Sequence, residues 1–212
     1  MTTAPPETKI RRATPDDAPH ATTTLVEGFL HGDLADWLIP DTDARRAAYG
    51  PYFRIFVEHA LAHGRIDVTE DLSAAAVWFT VVAGADRDSI TDYDARLAAA
   101  CGPWTARFSA LDAALHHAHP TDQTHHYLAF LAVRPHCQGT GLGSALLRHY
   151  HAELDVSDVP AYLEATGRRN GALYARHGYE AREPITVPDG PPLYAMWRPP
   201  RRRTTGPGPE PS

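Results

Sequence analysis

The string LAVRPHCQGTGLGSALL, residues 131–147, limits what this chain can fold into more than any other stretch. It begins inside an apolar run, YLAFLAV over residues 127–133, of the kind that fills a central strand. Residues 144–154 then read as a helix, and Gly139, Gly141 and Gly143 lie between the two elements. Glycine removes the side chain where the backbone of a ligand must approach closely. The first turn of the following helix offers amide N–H groups with no intrahelical partner, together with the positive end of the helix dipole. A pyrophosphate can sit there on backbone donors alone.

Other ligands of glycine-rich turns make demands that this string does not meet. A Walker A loop requires Gly-Lys-Ser/Thr, whereas Gly143 is followed directly by Ser144. A dinucleotide fingerprint requires G-x-G-x-x-G in an opening βαβ unit, with an acidic residue after the second strand. Here the pattern is G-x-G-x-G, and it lies in the C-terminal half. A glycine-rich connection that holds no ligand stays open as the bland alternative.

Strands and helices alternate around this string, which reads as an α/β chain. Residues 9–13 form a short strand, and Thr14, Pro15, Asp16 and Asp17 open a helix. Residues 43–63 read as a second helix, in which Tyr49, Tyr52, Phe53, Phe56 and Ala60 recur at helical spacing. Residues 65–69 and 74–82 form a hairpin, and 94–118 two helices broken at Gly102-Pro103. A strand at 161–165, a helix at 171–177 ended by Gly178, and a closing hairpin of 179–187 with 193–198 complete the order. Residues 9–200 are expected to be one domain. Residues 1–8 and 201–212, the latter RRRTTGPGPEPS, hold too few apolar groups to offset their ordering entropy and read as disordered tails.

The formal net charge of −6 gives no general attraction to nucleic acid or to anionic membranes. No signal-peptide core and no stretch approaching ~20 apolar residues is present, so a cytoplasmic protein is expected. Its two cysteines, Cys101 and Cys137, make no disulfide framework.

The string V-R-P-x-x-Q-G-x-G-L-G-S after an apolar strand, followed by Arg169-Asn170 and LYARHGY, resembles the acyl-CoA-binding region of the GNAT superfamily of N-acetyltransferases. The resemblance implies a GNAT fold: a mixed, mostly antiparallel sheet of about seven strands, splayed at the cofactor site and flanked by helices. It implies acetyl-CoA as donor. The backbone around Leu131 and Val133 would pair with the pantetheine arm. Amides across Gln138, Gly139, Thr140, Gly141, Leu142, Gly143 and Ser144 would hold the pyrophosphate. Asn170 would contact the cofactor arm and Tyr174 would lie against its sulfur. Taken singly, Asn170 also reads as a helix N-cap and Tyr174 as a core aromatic. The family often carries a basic residue where this chain has Thr140, so backbone donors would have to suffice. Within the family the likeness runs, with gaps, over residues 10–196 to acetyltransferases of aminonucleoside antibiotics and their actinobacterial relatives. It is weakest at residues 28–51 and 82–124, which shape the acceptor pocket in this fold.

Acetyl transfer has requirements of its own. A thiolate leaves, and a phenol with an ordinary pKa of about 10 is still protonated at neutral pH and can donate to it. The acceptor amine must lose a proton before it attacks, and Glu164, in a strand beside the cofactor strand, is the candidate base. A structural carboxylate satisfied by backbone or arginine is the equal alternative. Phe29, Trp37, Tyr49, Phe53 and Trp78 are candidates for an aromatic acceptor pocket, with Asp33 or Asp36 meeting a cationic amine. His116, His117, His119, His125 and His126 match no metal-ligand spacing and read as solvated histidines. Cys137, inside the phosphate loop, would be far from a thioester, which favours direct attack over an acyl-enzyme. The expected protein is a monomeric or homodimeric acetyltransferase of small-molecule amines with no metal. Acetylation of a protein or peptide amine, and a non-catalytic acyl-CoA-binding protein, are the alternatives.

Overall fold

The computed structural model describes residues 8–85 and 90–200. Apart from Thr8, the tails expected at 1–8 and 201–212 lie outside the described residues. In chain order the elements are β1 (Ile10–Arg12), α1 (Ala18–Phe29), α2 (Asp33–Leu38), α3 (Thr42–His63), β2 (Arg65–Thr69), β3 (Ala74–Val81) and α4 (Tyr93–Cys101). They continue as α5 (Thr105–Ala118), β4 (His125–Val133), α6 (Leu142–Val156), β5 (Ala161–Ala165), α7 (Arg168–Arg176), β6 (Glu180–Ile185) and β7 (Leu193–Arg198). The helix expected after Thr14 opens as a 3-10 turn, Pro15–Asp17, before α1 takes over. Asp17 fixes that entry. Its carboxylate accepts from the Thr14 amide at 2.8 Å and pairs with Arg11 at 2.7 Å. The short α2 is an addition to the expected elements, and Asp41 caps α3 by accepting from the Ala44 amide at 2.7 Å.

The seven strands order as β1-β2-β3-β4-β5-β7-β6. Every neighbouring pair is antiparallel except β4–β5. That parallel pair is joined only at His126↔Ala161 and Tyr127↔Tyr162, although β4 runs on to Val133 and β5 to Ala165. Beyond Tyr127 the two strands diverge, and no strand among the described residues lies against the β5-facing edge of β4. The expected splay is therefore present.

Side-chain alternation divides the core between the two faces of the sheet. Ala75, Val77 and Tyr162 pack with α1, α3, α4 and α5, whereas Ala74, Ala76, Trp78 and Leu163 pack with α6 and α7. A bulge interrupts this rule in β4. Val77 pairs with Phe130 and Trp78 with Leu128, so Ala129 is the extra residue. Leu128 and Phe130, two apart, consequently fall on opposite faces. Gly28 lets α1 lie close on β4 just beyond this point, since a Cβ there would be 2.7 Å from the Ala132 Cβ.

Candidate active site

The connection from β4 to α6 holds the glycine turn, and neither it nor Val133 belongs to the wall of the cavity that Leu131 lines. Gly139 and Gly141 have φ of +79° and +91°, left-handed values that other residues adopt only at a cost of about 1–2 kcal/mol. Gly141 then caps α6, whose first intrahelical bond runs from the Ala145 amide to the Gly141 carbonyl at 2.9 Å. The amides of Leu142, Gly143 and Ser144 precede that bond and are left for an outside acceptor. Arg134 reaches Thr24 and Glu27 of α1, and the polar side chains of the turn have near partners. Gln138 Nε2 donates to the Val133 carbonyl at 3.1 Å, and Thr140 Oγ1 to the Cys137 carbonyl at 2.6 Å. Ser144 Oγ meets His177 Nε2 at 2.9 Å. What the turn offers an anion is thus backbone N–H and the helix dipole.

A cavity of about 840 Å³ passes from the splay to the helices on the other side of the sheet. Its inner wall includes Leu131 of β4, Glu164 and Thr166 at the end of β5, and Asn170 and Tyr174 of α7. Gly167 holds the N-cap position of α7, so Asn170 is no cap; its Nδ2 donates to Thr166 Oγ1 at 3.1 Å. Tyr174 belongs to the α6–α7 core layer and also lines the cavity. Burial alone pushes its phenol well above the usual range, which keeps the proton on the oxygen at neutral pH. Glu164 shares strand parity with Tyr162 and so comes from the opposite face. The two groups approach the splay from either side. Glu164 has a side chain only 6% exposed, and no arginine pairs with it among the described residues.

The other end is aromatic. Of the five acceptor-pocket candidates, Phe29, Tyr49 and Phe53 line the cavity, together with Tyr52, Phe56 and Phe130. Phe130 stands edge-on to Phe29, Phe53 and Phe56 with centroids 5.8, 5.3 and 5.1 Å away. Helical spacing already marked Tyr52 and Phe56, but Phe130 enters only because Ala129 shifts the strand's parity. Asp33 lines this end, whereas Asp36 is taken by the buried guanidinium of Arg45 at 2.6 Å. Asp112 adds a carboxylate that accepts from Tyr93 Oη at 2.7 Å, and burial raises its pKa.

Two expected acceptor residues are elsewhere. Trp78 is fully buried on the α6 face, with its ring 4.9 Å from that of Tyr150, because it shares parity with Ala74 and Ala76. Trp37 lies outside the cavity wall, against the position a Gly190 Cβ would take at 3.2 Å. The histidines also divide. His116 and His117 are exposed, but His119 and His125 are buried and His126 is held by Tyr150 Oη at 2.9 Å, so these three are not solvated. No cluster of three or more metal-ligating side chains occurs among the described residues, and no described helix is long and apolar enough to cross a membrane.

Comparison with known proteins gives this geometry a family. Residues 106–181 match the acetyltransferase (GNAT) domain. A Corynebacterium glutamicum protein described as a histone acetyltransferase and related acetyltransferase is 32% identical, over 93% of this chain and 99% of its own, with a TM-score of 0.70. The fold recurs in arylalkylamine N-acetyltransferase 2 from Aedes aegypti, at 10% identity over 91% and 99% of the two chains with a TM-score of 0.61. It recurs also in the ribosomal-protein-S18-alanine N-acetyltransferase from Escherichia coli, at 17% identity over 93% and 96%, with a TM-score of 0.51. The chain belongs to the GNAT acetyltransferase family. It is an N-acetyltransferase that takes its acetyl group from acetyl-CoA.

Proposed function

We propose that this enzyme acetylates the amine of a small molecule with an aromatic body, an aminonucleoside of the puromycin type being the leading candidate. The observation that carries the reading is the single cavity that joins an aromatic box to the splay between β4 and β5. Such a box suits a ring system held by its faces and edges. Peptide acceptors, by contrast, call for an open groove along which a chain can lie.

In this reading residues 9–200 act as one unit. The β4 backbone around Leu131 and Val133 carries the pantetheine arm. The amides from Gln138 to Ser144 receive the pyrophosphate, and Asn170 holds the arm from α7. Phe29 and Phe53 form walls for the acceptor. The amine attacks the thioester carbonyl directly, Glu164 receives the amine proton, and Tyr174 protonates the departing thiolate. The placement of Glu164 and Tyr174 on opposite faces supports this division, because the amine approaches the carbonyl carbon from one side and the sulfur departs from it on another.

The experiment is a CoA-release screen with acetyl-CoA against puromycin, arylalkylamines, polyamines and amine-bearing peptides. Turnover of puromycin or an arylalkylamine well above all peptides is the expected result. Preference for peptides would replace the small-molecule reading with a protein or peptide acetyltransferase, and no thiol release with any amine would leave an acyl-CoA-binding protein.

A further inference from the structure

Two histidines, His119 just after α5 and His125 at the start of β4, are sealed inside the protein, with 6% and no exposed surface. His119 lies with Tyr127 of β4 and Tyr162 of β5 edge-on at 4.8 and 4.7 Å, and Trp197 of β7 packs on His125 at 5.2 Å. Their hydrogen bonds have a direction, and the outer end fixes it. The Gln123 carbonyl can only accept, so His125 Nδ1, 2.7 Å away, carries a hydrogen. A neutral His125 then presents a lone pair at Nε2, and His119 Nε2, 3.0 Å from it, must donate. A neutral His119 in turn presents a lone pair at Nδ1. That atom faces Glu164 Oε1 at 3.6 Å.

An ionised carboxylate also only accepts. Two acceptors therefore face one another with no proton between them, and Glu164 Oε1, though buried, receives no hydrogen bond among the described residues. The arrangement is short of one proton, at a side chain that lines the cavity with Tyr174 and Asn170. The other titratable groups around the pair are His125, Tyr127 and Tyr162, with His116 and Asp112 on the cavity wall from α5. No lysine or arginine forms an ion pair with Glu164 among the described residues.

We propose that Glu164 and His119 together accept the amine proton, with His119, oriented by His125 and Gln123, completing the base that Glu164 begins. The inference rests on the base role assigned to Glu164 above. The acceptor enters as an ammonium. One N–H bond breaks, and its proton is bound between Glu164 Oε1 and His119 Nδ1. The freed lone pair forms the N–C bond at the thioester carbonyl, the C–S bond breaks, and the thiolate takes the Tyr174 proton. The second proton leaving the nitrogen restores the phenol through water, and the shared proton passes to solvent as product departs. His119 is not part of the cavity wall and acts only through Glu164.

The direct test is histidine 15N NMR of the full chain across pH, with and without Glu164→Gln. His119 is expected as the Nε2–H tautomer at high pH, and to take up its second proton at a lower pH once the carboxylate is gone. Finding the Nδ1–H tautomer, or the same titration in both proteins, overturns the pairing. The second arm is the pH profile of His119→Gln with the fastest amine of the screen, with melting temperature and acetyl-CoA affinity as controls of folding. Turnover should fall at least about tenfold below the pKa of that amine and recover above it, where the amine arrives neutral. An equal loss at every pH would mean that His119 only supports the fold. Full activity of Glu164→Gln would remove the base role itself, whereas full activity of His119→Gln alone would remove only the pairing.

Discussion

At the glycine turn the surface on offer is main chain: left-handed glycines, the first amides of α6, and, before it, the edge of β4 that no described strand covers. At the aromatic end of the cavity it is rings, carried by α1, α3 and β4 and brought together by packing. Main-chain donors are the same in every protein, so the first end can serve one invariant ligand and tolerate almost any neighbours. Rings are a choice of residue and rotamer, so the second end can be rebuilt without disturbing the first. A fold divided in this way keeps its reaction while its substrate changes.

That division can be broken by experiment. Tyr174 stands where the two ends meet, and Tyr174→Phe should lower kcat about a hundredfold while acetyl-CoA affinity stays unchanged; full turnover in steady-state kinetics would reject the acid role. Gly141→Val, at φ +91°, forces a strained conformation on the turn and should weaken acetyl-CoA binding about thirtyfold by calorimetry. An unaltered affinity would mean that this turn does not hold the donor. Phe56→Ala should raise the acceptor KM about tenfold and leave the acetyl-CoA dissociation constant alone. If both constants move together, the two ends are not separable. Thr140→Arg should tighten acetyl-CoA about three- to fivefold at low ionic strength, with the gain lost in salt; no gain would show that backbone donors already saturate the site.

The same contrast explains which parts could be read from residues alone. Glycines declare where a backbone must turn or be approached, so the turn at 139–143, the strand before it and the helix after it stand where the pattern places them. Asn170 and Tyr174 follow at a spacing tied to that turn, and they line one cavity with Leu131, whereas the turn itself is not in its wall. Aromatic residues declare only that they prefer to be covered. Phe29 and Phe53 cover the cavity, whereas Trp78 covers α6 and Trp37 lies beyond the wall, and no local signal separates these outcomes. His119 and His125 mislead for a related reason. Polar neighbours such as Thr121, Asp122 and Gln123 make the stretch look solvated, yet the two histidines are buried against each other, with Glu164 of β5 beyond His119 and the Gln123 carbonyl beyond His125. A pairing across two elements leaves no period in the sequence.

Ala129 has a consequence for how such a protein can change. A strand has a reading frame of two, and this one residue shifts it. Residues 130–133 answer to the frame set by the phosphate turn, and residues 125–128 to the frame set by pairing with β5. Losing Ala129 would exchange the sides of one half or the other, turning Phe130 out of the box or Leu128 out of its layer. Substitutions around the box can therefore accumulate one at a time, but a single deletion in β4 would scramble both layers at once. Length, here, is under tighter restraint than identity.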